Sequence, residues 1–205
     1  MERQFFKTLD DINNDLIQMG ALCQKGLGYL TSMLTKHDTA NLLALRDNEK
    51  KVDRLEASIE SKCQRLLLLE QPVAQDLRQI YATIKIINDL ERISDQTLSI
   101  GTLSEQIDEG VHLLEDLLAQ ITAMVALAIE SYTTSLREVA QRTIAKDEAV
   151  NRLFASVKEN LARELPHSIE SSLNQLMIAK YMEGIGDHAK SIATIVLEQI
   201  TPKES

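Results

Sequence analysis

Asn88-Asp89-Leu90-Glu91-Arg92-Ile93-Ser94-Asp95 and Lys180-Tyr181-Met182-Glu183-Gly184-Ile185-Gly186-Asp187 carry the same Glu-x-x-x-Asp pair, 92 residues apart, inside otherwise apolar sequence. Residues four apart lie on one face of an α-helix, a turn from each other, so each stretch presents two carboxylates to one point in space. Leu77, Tyr81, Ile84, Asn88, Glu91, Asp95 and Leu98 follow in steps of four and three, the spacing of a core-facing helical seam. That spacing predicts carboxylates where core residues belong. Like charges a turn apart repel, and buried carboxylates require a cation, a proton or a full set of hydrogen bonds. A second copy of the arrangement makes a metal-carboxylate site the sharper expectation.

The rest of the chain is written for helices. Of its 205 residues 44% are hydrophobic and 26% charged, with only 7 Gly and 3 Pro, and the 3% aromatic content with no Trp speaks against a β core. The expectation is an all-α protein. A net charge of −9 and a pI near 5.0 argue against nucleic acid or an anionic membrane as a direct partner and favour a cationic one. No long apolar run follows a basic stretch between Met1 and Ile12, and no segment approaches the ~18 uninterrupted apolar residues of a membrane span. A cytoplasmic location is therefore expected. Cys23 and Cys63 stand alone, without a Cys-x-x-Cys or Cys/His spacing, and are expected as reduced, buried thiols.

Along the chain, Phe6, Leu9, Ile12, Leu16, Met19, Cys23, Leu27, Leu30 and Leu34 predict one long amphipathic helix. His37-Asp38-Thr39 interrupts it, with Asp38 a candidate N-cap for a second helix running to about Leu69. Pro72 breaks the chain, and a third helix from about Val73 carries the first motif, with Gly101 a natural place to end or bend. The second half repeats the plan. Ile107, Val111, Leu114, Leu118, Ile121, Val125 and Ala128 predict a fourth helix, a polar break follows at Ser131 to Ser135, and Leu136 to Leu165 make a fifth. Pro166 stands where Pro72 stood, and the sixth helix places Ile169, Leu173, Leu176, Lys180, Glu183 and Asp187 on one seam. Two similar three-helix bundles result, residues 1–101 and 102–205, packed together because almost no linker separates them. The last residues, Thr201 to Ser205, read as a frayed end.

Val52-Asp53-Arg54-Leu55 aligns with Val150-Asn151-Arg152-Leu153, so each middle helix holds a further pair, Glu49 with Asp53 and Asp147 with Asn151. Carboxylates on adjacent turns of neighbouring helices suit hard, oxygen-binding cations without any His; Mg, Mn, Fe and, less naturally, Zn fit the donor set. Such residues also serve simply as the solvated face of a charged helix. His188 follows Asp187 as a possible further ligand, with Gln96 at the equivalent place in the first half. Glu109-x-x-His112 and Glu164-x-x-His167 resemble the Glu-x-x-His of di-iron bundles, but Gly110 and Pro166 interrupt them. There is no Gly-rich phosphate loop and no nucleophile elbow. The sequence asks for no enzyme; a carboxylate-bridged, metal-dependent enzyme in a helical bundle is the alternative.

Asp47-Asn48-Glu49-Lys50-Lys51-Val52-Asp53-Arg54-Leu55-Glu56, Leu69-Glu70-Gln71-Pro72-Val73-Ala74-Gln75-Asp76-Leu77-Arg78 and the Asn88 to Asp95 stretch, in that order, closely resemble the PhoU family of bacterial phosphate-signalling regulators, and Glu183 to Ala189 resembles the family's second copy. The resemblance covers nearly the whole chain. It implies paired three-helix bundles with divalent or trivalent metal ions held by Glu49, Asp53, Glu91 and Asp95 in the first half and Asp147, Glu183 and Asp187 in the second. It further implies a homodimeric adaptor that restrains the phosphate-starvation response and phosphate uptake, through contact with the phosphate transporter ATPase subunit and a sensor histidine kinase. Membrane association would then come only through those partners. Asn151 departs from the acidic pattern and offers only a neutral oxygen, so the second site is expected to be weaker. Ser94 and Gln96 replace the Gly and His usual in the first-half motif, which removes a His ligand there.

Overall fold

The computed structural model of the chain describes residues 2–36, 38, 40–69, 73–107, 112–163 and 169–201. These form six helices and no strand: α1 (Glu2–Lys36), α2 (Asn41–Leu69), α3 (Ala74–Ser104), α4 (His112–Thr134), α5 (Arg137–Arg163) and α6 (Ile169–Ile200). Helices α1, α2 and α3 pack on one another as one bundle and α4, α5 and α6 as the other, while α3 against α6 and α1 against α4 join them. No contact links the outer helices α2 and α5, which pack on α3 and α6 respectively. The all-α reading and the two-bundle order both hold.

Helix α1 is long because one face is apolar throughout: Phe5, Ile12, Leu16, Met19, Cys23, Leu27, Leu30 and Leu34 are all buried. Phe6, expected on that face, is 57% exposed, and Phe5 takes its place. The main hydrophobic core then runs from α1 through α3 and α6 to α4 and includes Ile87, Leu90, Leu114, Ile121, Ile178 and Ile185. Helix α4 is the one described helix long and apolar enough by composition to cross a membrane, over Leu114–Thr134, yet Leu114, Leu117, Leu118, Ile121, Met124 and Val125 are all buried in this core. Burying each such side chain contributes about 1.5–3 kcal/mol to folding, which accounts for its hydropathy. Both cysteines are free and buried. Cys23 donates to the Leu90 carbonyl at 3.2 Å, and burial pushes its thiol up to about 12 and that of Cys63 up to about 11.

Four expected boundaries shift. Helix α3 passes through Gly101 and ends at Ser104, because Gly101 is a packing position rather than a stop. A Cβ there would stand 2.7 Å from Cδ2 of Leu45, itself buried with Met33 and Leu42, so only glycine lets α2 approach this closely. The polar run Ser131 to Thr134 stays inside α4: Ser131 Oγ donates to the Ala128 carbonyl, and Thr133 and Thr134 donate back to that of Glu130. The reversal is confined to Ser135, at φ 52°, and Leu136. Asp38 lies three residues ahead of α2, where its carboxylate accepts from the Asn41 side-chain amide at 2.8 Å and its carbonyl from the Asn41 N–H. Ile107 is buried in the connection after α3 rather than within α4. Pro72, Leu165 and Pro166 lie outside the described residues.

Candidate functional site

The seam predicted for α3 is corrected by the structure. The core side of α3 is Ile80, Thr83, Ile86, Ile87, Leu90, Ile93, Ser94, Thr97 and Ile100, whereas Leu77 and Tyr81 are 49% and 59% exposed. Asn88 and Asp95 are exposed and Glu91 half-buried. The same displacement holds on α6, where Ile178, Met182, Ile185, Ala189 and Ile192 face the core, Ile169, Leu173 and Asp187 are exposed, and Glu183 is half-buried. Two apolar stripes run side by side on each helix with the same period, and periodicity alone does not say which is inside. The Glu-x-x-x-Asp pairs therefore line the margins of surface grooves.

In the first half, α2 brings Glu49, Asp53 and Glu56 beside Glu91 and Asp95 of α3. The Glu49 carboxyl is pushed up from its ordinary value first by burial, then by Asp53 through charge and a hydrogen bond, and then by Asp95. Burial also raises Glu91, with Arg92 opposing and Asp95 and Asp53 adding to the rise. Glu56, which the motif reading passed over, is raised by burial, Glu91, Glu60 and Asp53. Its signal was present, since 49, 53 and 56 are spaced by four and three on one face of α2. Among the described residues, the ion pair within this group is Arg92 Nε with Glu91 at 3.5 Å; Glu49, Asp53, Glu56 and Asp95 have none.

The second half is built differently. Asp147 of α5 is buried, and its Oδ2 accepts from Lys190 Nζ of α6 at 2.6 Å and from Asn151 Nδ2 at 3.3 Å. Lys180 donates to Glu183 one turn along α6. The Asp187 carboxyl is raised by burial, Glu183 and Asp147, against which Lys180 and Lys190 act. By the register that pairs Glu91 with Glu183, Lys180 and Lys190 stand where α3 has Asn88 and Leu98. By the one that pairs Val52 with Val150, Phe154 stands where α2 has Glu56.

Among the described residues, no three His, Cys, Asp or Glu side chains converge closely enough as they stand to hold one ion. The donor chemistry nevertheless separates the halves. In the first, five neighbouring carboxylates supply the hard oxygens that Mg, Mn or Fe take, and burial together with the neighbouring carboxylates raises the proton affinity of Glu49, Glu56 and Glu91. The second presents Asp147 and Glu183 already in contact with ammonium groups and an amide, with only Asp187 outside those contacts, and does not fit a metal ion in this arrangement. Across the interface His188 Nδ1 meets Asp89 Oδ1 at 2.8 Å, so that histidine pairs with α3 instead of joining Asp187. Gln96, its counterpart, packs on Gly184, where a Cβ would stand 2.8 Å from Gln96 Oε1. Glu109, Glu164 and His167 lie outside the described residues, as does the His112 side chain.

One prediction follows from the raised carboxyls of Glu49, Glu56, Glu91 and Asp187. Each binds its proton more tightly folded than unfolded, so the folded state is favoured by acid and loses stability as pH climbs through the raised values. Metal-free protein is expected to unfold at a higher urea concentration near ~pH 5 than near ~pH 7.5. A midpoint that falls steadily over that acidification contradicts the electrostatic picture.

A helical protein of two three-helix bundles, with carboxylates gathered where the middle and last helices of a bundle meet, is a narrow class. The chain matches the PhoU domain family over residues 16–103 and 114–196, one stretch in each bundle, and belongs to that family. It is 28% identical over 206 residues to the phosphate-specific transport system accessory protein PhoU homolog of Pseudomonas aeruginosa, covering 96% of this chain and 85% of that protein. The homolog of the same description from Clostridium acetobutylicum is 26% identical, with 100% of this chain and 98% of that one covered. The crystal structure of PhoU from Pseudomonas aeruginosa superimposes with a TM-score of 0.91 at 27% identity over 96% of this chain and 98% of that one. For the phosphate transport system regulatory protein PhoU of Streptococcus pneumoniae the TM-score is 0.88 at 20% identity, over 96% and 97% of the two chains, a likeness of fold.

Proposed function

We propose that this protein is an accessory regulator of phosphate transport that acts by contact and not by turnover. The observation that carries the reading is the family match in both bundles, among relatives described as phosphate-specific transport system accessory proteins. The protein works in the cytoplasm as a homodimer. It docks on the phosphate transporter ATPase and on the sensor histidine kinase, and so restrains the phosphate-starvation response and phosphate uptake when phosphate is plentiful. Its net charge of −9 favours basic patches on those partners, with association that weakens as salt rises.

Glu49, Asp53, Glu91 and Asp95, with Glu56 beside them, would hold a hard cation such as Fe, Mn, Mg or Zn. Such an ion would supply positive charge against the repulsion among these carboxylates of α2 and α3. In the second half Asp147, Glu183 and Asp187 stand at the equivalent positions, but Lys190, Asn151 and Lys180 already contact Asp147 and Glu183 there. The reading is tested by capturing the tagged protein from cells grown in abundant and in scarce phosphate and identifying what comes with it. The transporter ATPase and the kinase are expected in the abundant-phosphate sample, in amounts that fall with added salt. Their absence under both conditions contradicts the docking reading.

A further inference from the structure

We infer, resting on the metal reading of the first half, that Lys180 and Lys190 are the resident cations of the second half, which is thereby neutralised without metal. Helix α6 reads Lys180-x-x-Glu183-x-x-x-Asp187-x-x-Lys190, whereas α3 reads Asn88-x-x-Glu91-x-x-x-Asp95-x-x-Leu98 over the same face. An ammonium group has been placed one turn before and one turn after the acidic pair. Each is used. Lys190 reaches across to Asp147 at 2.6 Å, onto a carboxylate whose side chain is only 12% exposed. Lys180 pairs with Glu183, and its ammonium also lies 5.6 Å from the centre of the Phe154 ring, a contact that favours a cation.

The other departures point the same way. Asn151 offers its amide to Asp147 where the first half has the charge of Asp53, and the Phe154 ring occupies the position of Glu56. Two carboxylates have thus been removed and two ammonium groups added within one groove. A divalent ion entering there would have to displace Lys190 and Asn151 from Asp147 and then sit beside the displaced positive charge. Ammonium groups tethered to α6 need no ion from solution, and each lies within ion-pair distance of its carboxylate. The second half is therefore a constant part of the fold, and only the first answers to the supply of metal.

The test uses the full chain, stripped with chelator and titrated with Mn2+ alone. Glu183→Gln with Asp187→Asn is expected to leave the bound Mn2+ unchanged, and Lys180→Asn with Lys190→Leu and Asn151→Asp is expected to add a further binding event. Loss of roughly half the Mn2+ in the first variant, or no gain in the second while it remains helical, overturns the inference. A second arm needs no metal. In chelator, Lys190→Met is expected to lower Tm by roughly 5 °C, and adding Asp147→Asn to it is expected to restore most of that loss. If the wild type takes up no Mn2+, the metal reading of the first half fails. The resident-cation claim then stands on coupling between Lys190 and Asp147, and additive effects of the two substitutions overturn it.

Discussion

Glu91→Gln combined with Asp95→Asn is expected to weaken Mn2+ or Fe binding at least ~100-fold, since loss of a mere outer-shell partner already costs ~10–100-fold. The two residues are half of the first-half set, and α3 offers no replacement carboxylate at the neighbouring turns of that face, where Asn88 and Leu98 flank the pair. The same double substitution should stabilise the metal-free fold. Glu91 is raised by burial and, against Arg92, by Asp95 and Asp53, so neutral isosteres relieve both the burial of charge and repulsion that the folded state otherwise carries. Calorimetric titration and chelator-state melting read the two effects separately. Unchanged metal affinity would remove the carboxylates of α3 from the ligand set.

Much of this architecture was legible because it is punctuated. The prolines at 72 and 166, the break at His37 to Thr39 and the two Glu-x-x-x-Asp stretches divide the chain into the right six helices in the right order. The inside of each helix was harder to read. On α3 the outer stripe of exposed Leu77 and Tyr81 and half-buried Ile84 has the same period as the buried stripe of Ile80, Ile87 and Leu90. Only packing against α1, α2 and α6 decides between them. Gly101 was misread for a related reason: a stop signal in sequence is, in three dimensions, the place where Leu45 of α2 comes nearest.

The site was legible in part. Spacing showed the pairs Glu49 with Asp53 and Glu91 with Asp95 within each helix, the resemblance set them against each other, and their partial exposure came from the structure. Lys180 stood inside the quoted motif and on the same seam as Glu183 without being weighed as a cation. Lys190 lay beyond the motif, and its partner Asp147 is 43 residues away on another helix. Spacing within one helix cannot reveal a pairing made between helices. His188 shows the same limit, since its partner Asp89 lies across the interface in the other bundle.

The larger effect is expected in cells. A strain lacking its own protein of this family and carrying a phosphate-responsive promoter reporter should be active in high phosphate, because nothing then restrains the starvation response. This chain is expected to return the reporter to its repressed level, and the Glu91→Gln, Asp95→Asn form to do so poorly at equal expression. The contact account requires only surfaces and an ordered first half, so no substrate or product need be supplied. The most direct measurement is that reporter in abundant phosphate with the wild-type chain present. Restored silence is the result predicted, and full reporter activity despite normal levels of folded protein would contradict the regulatory reading.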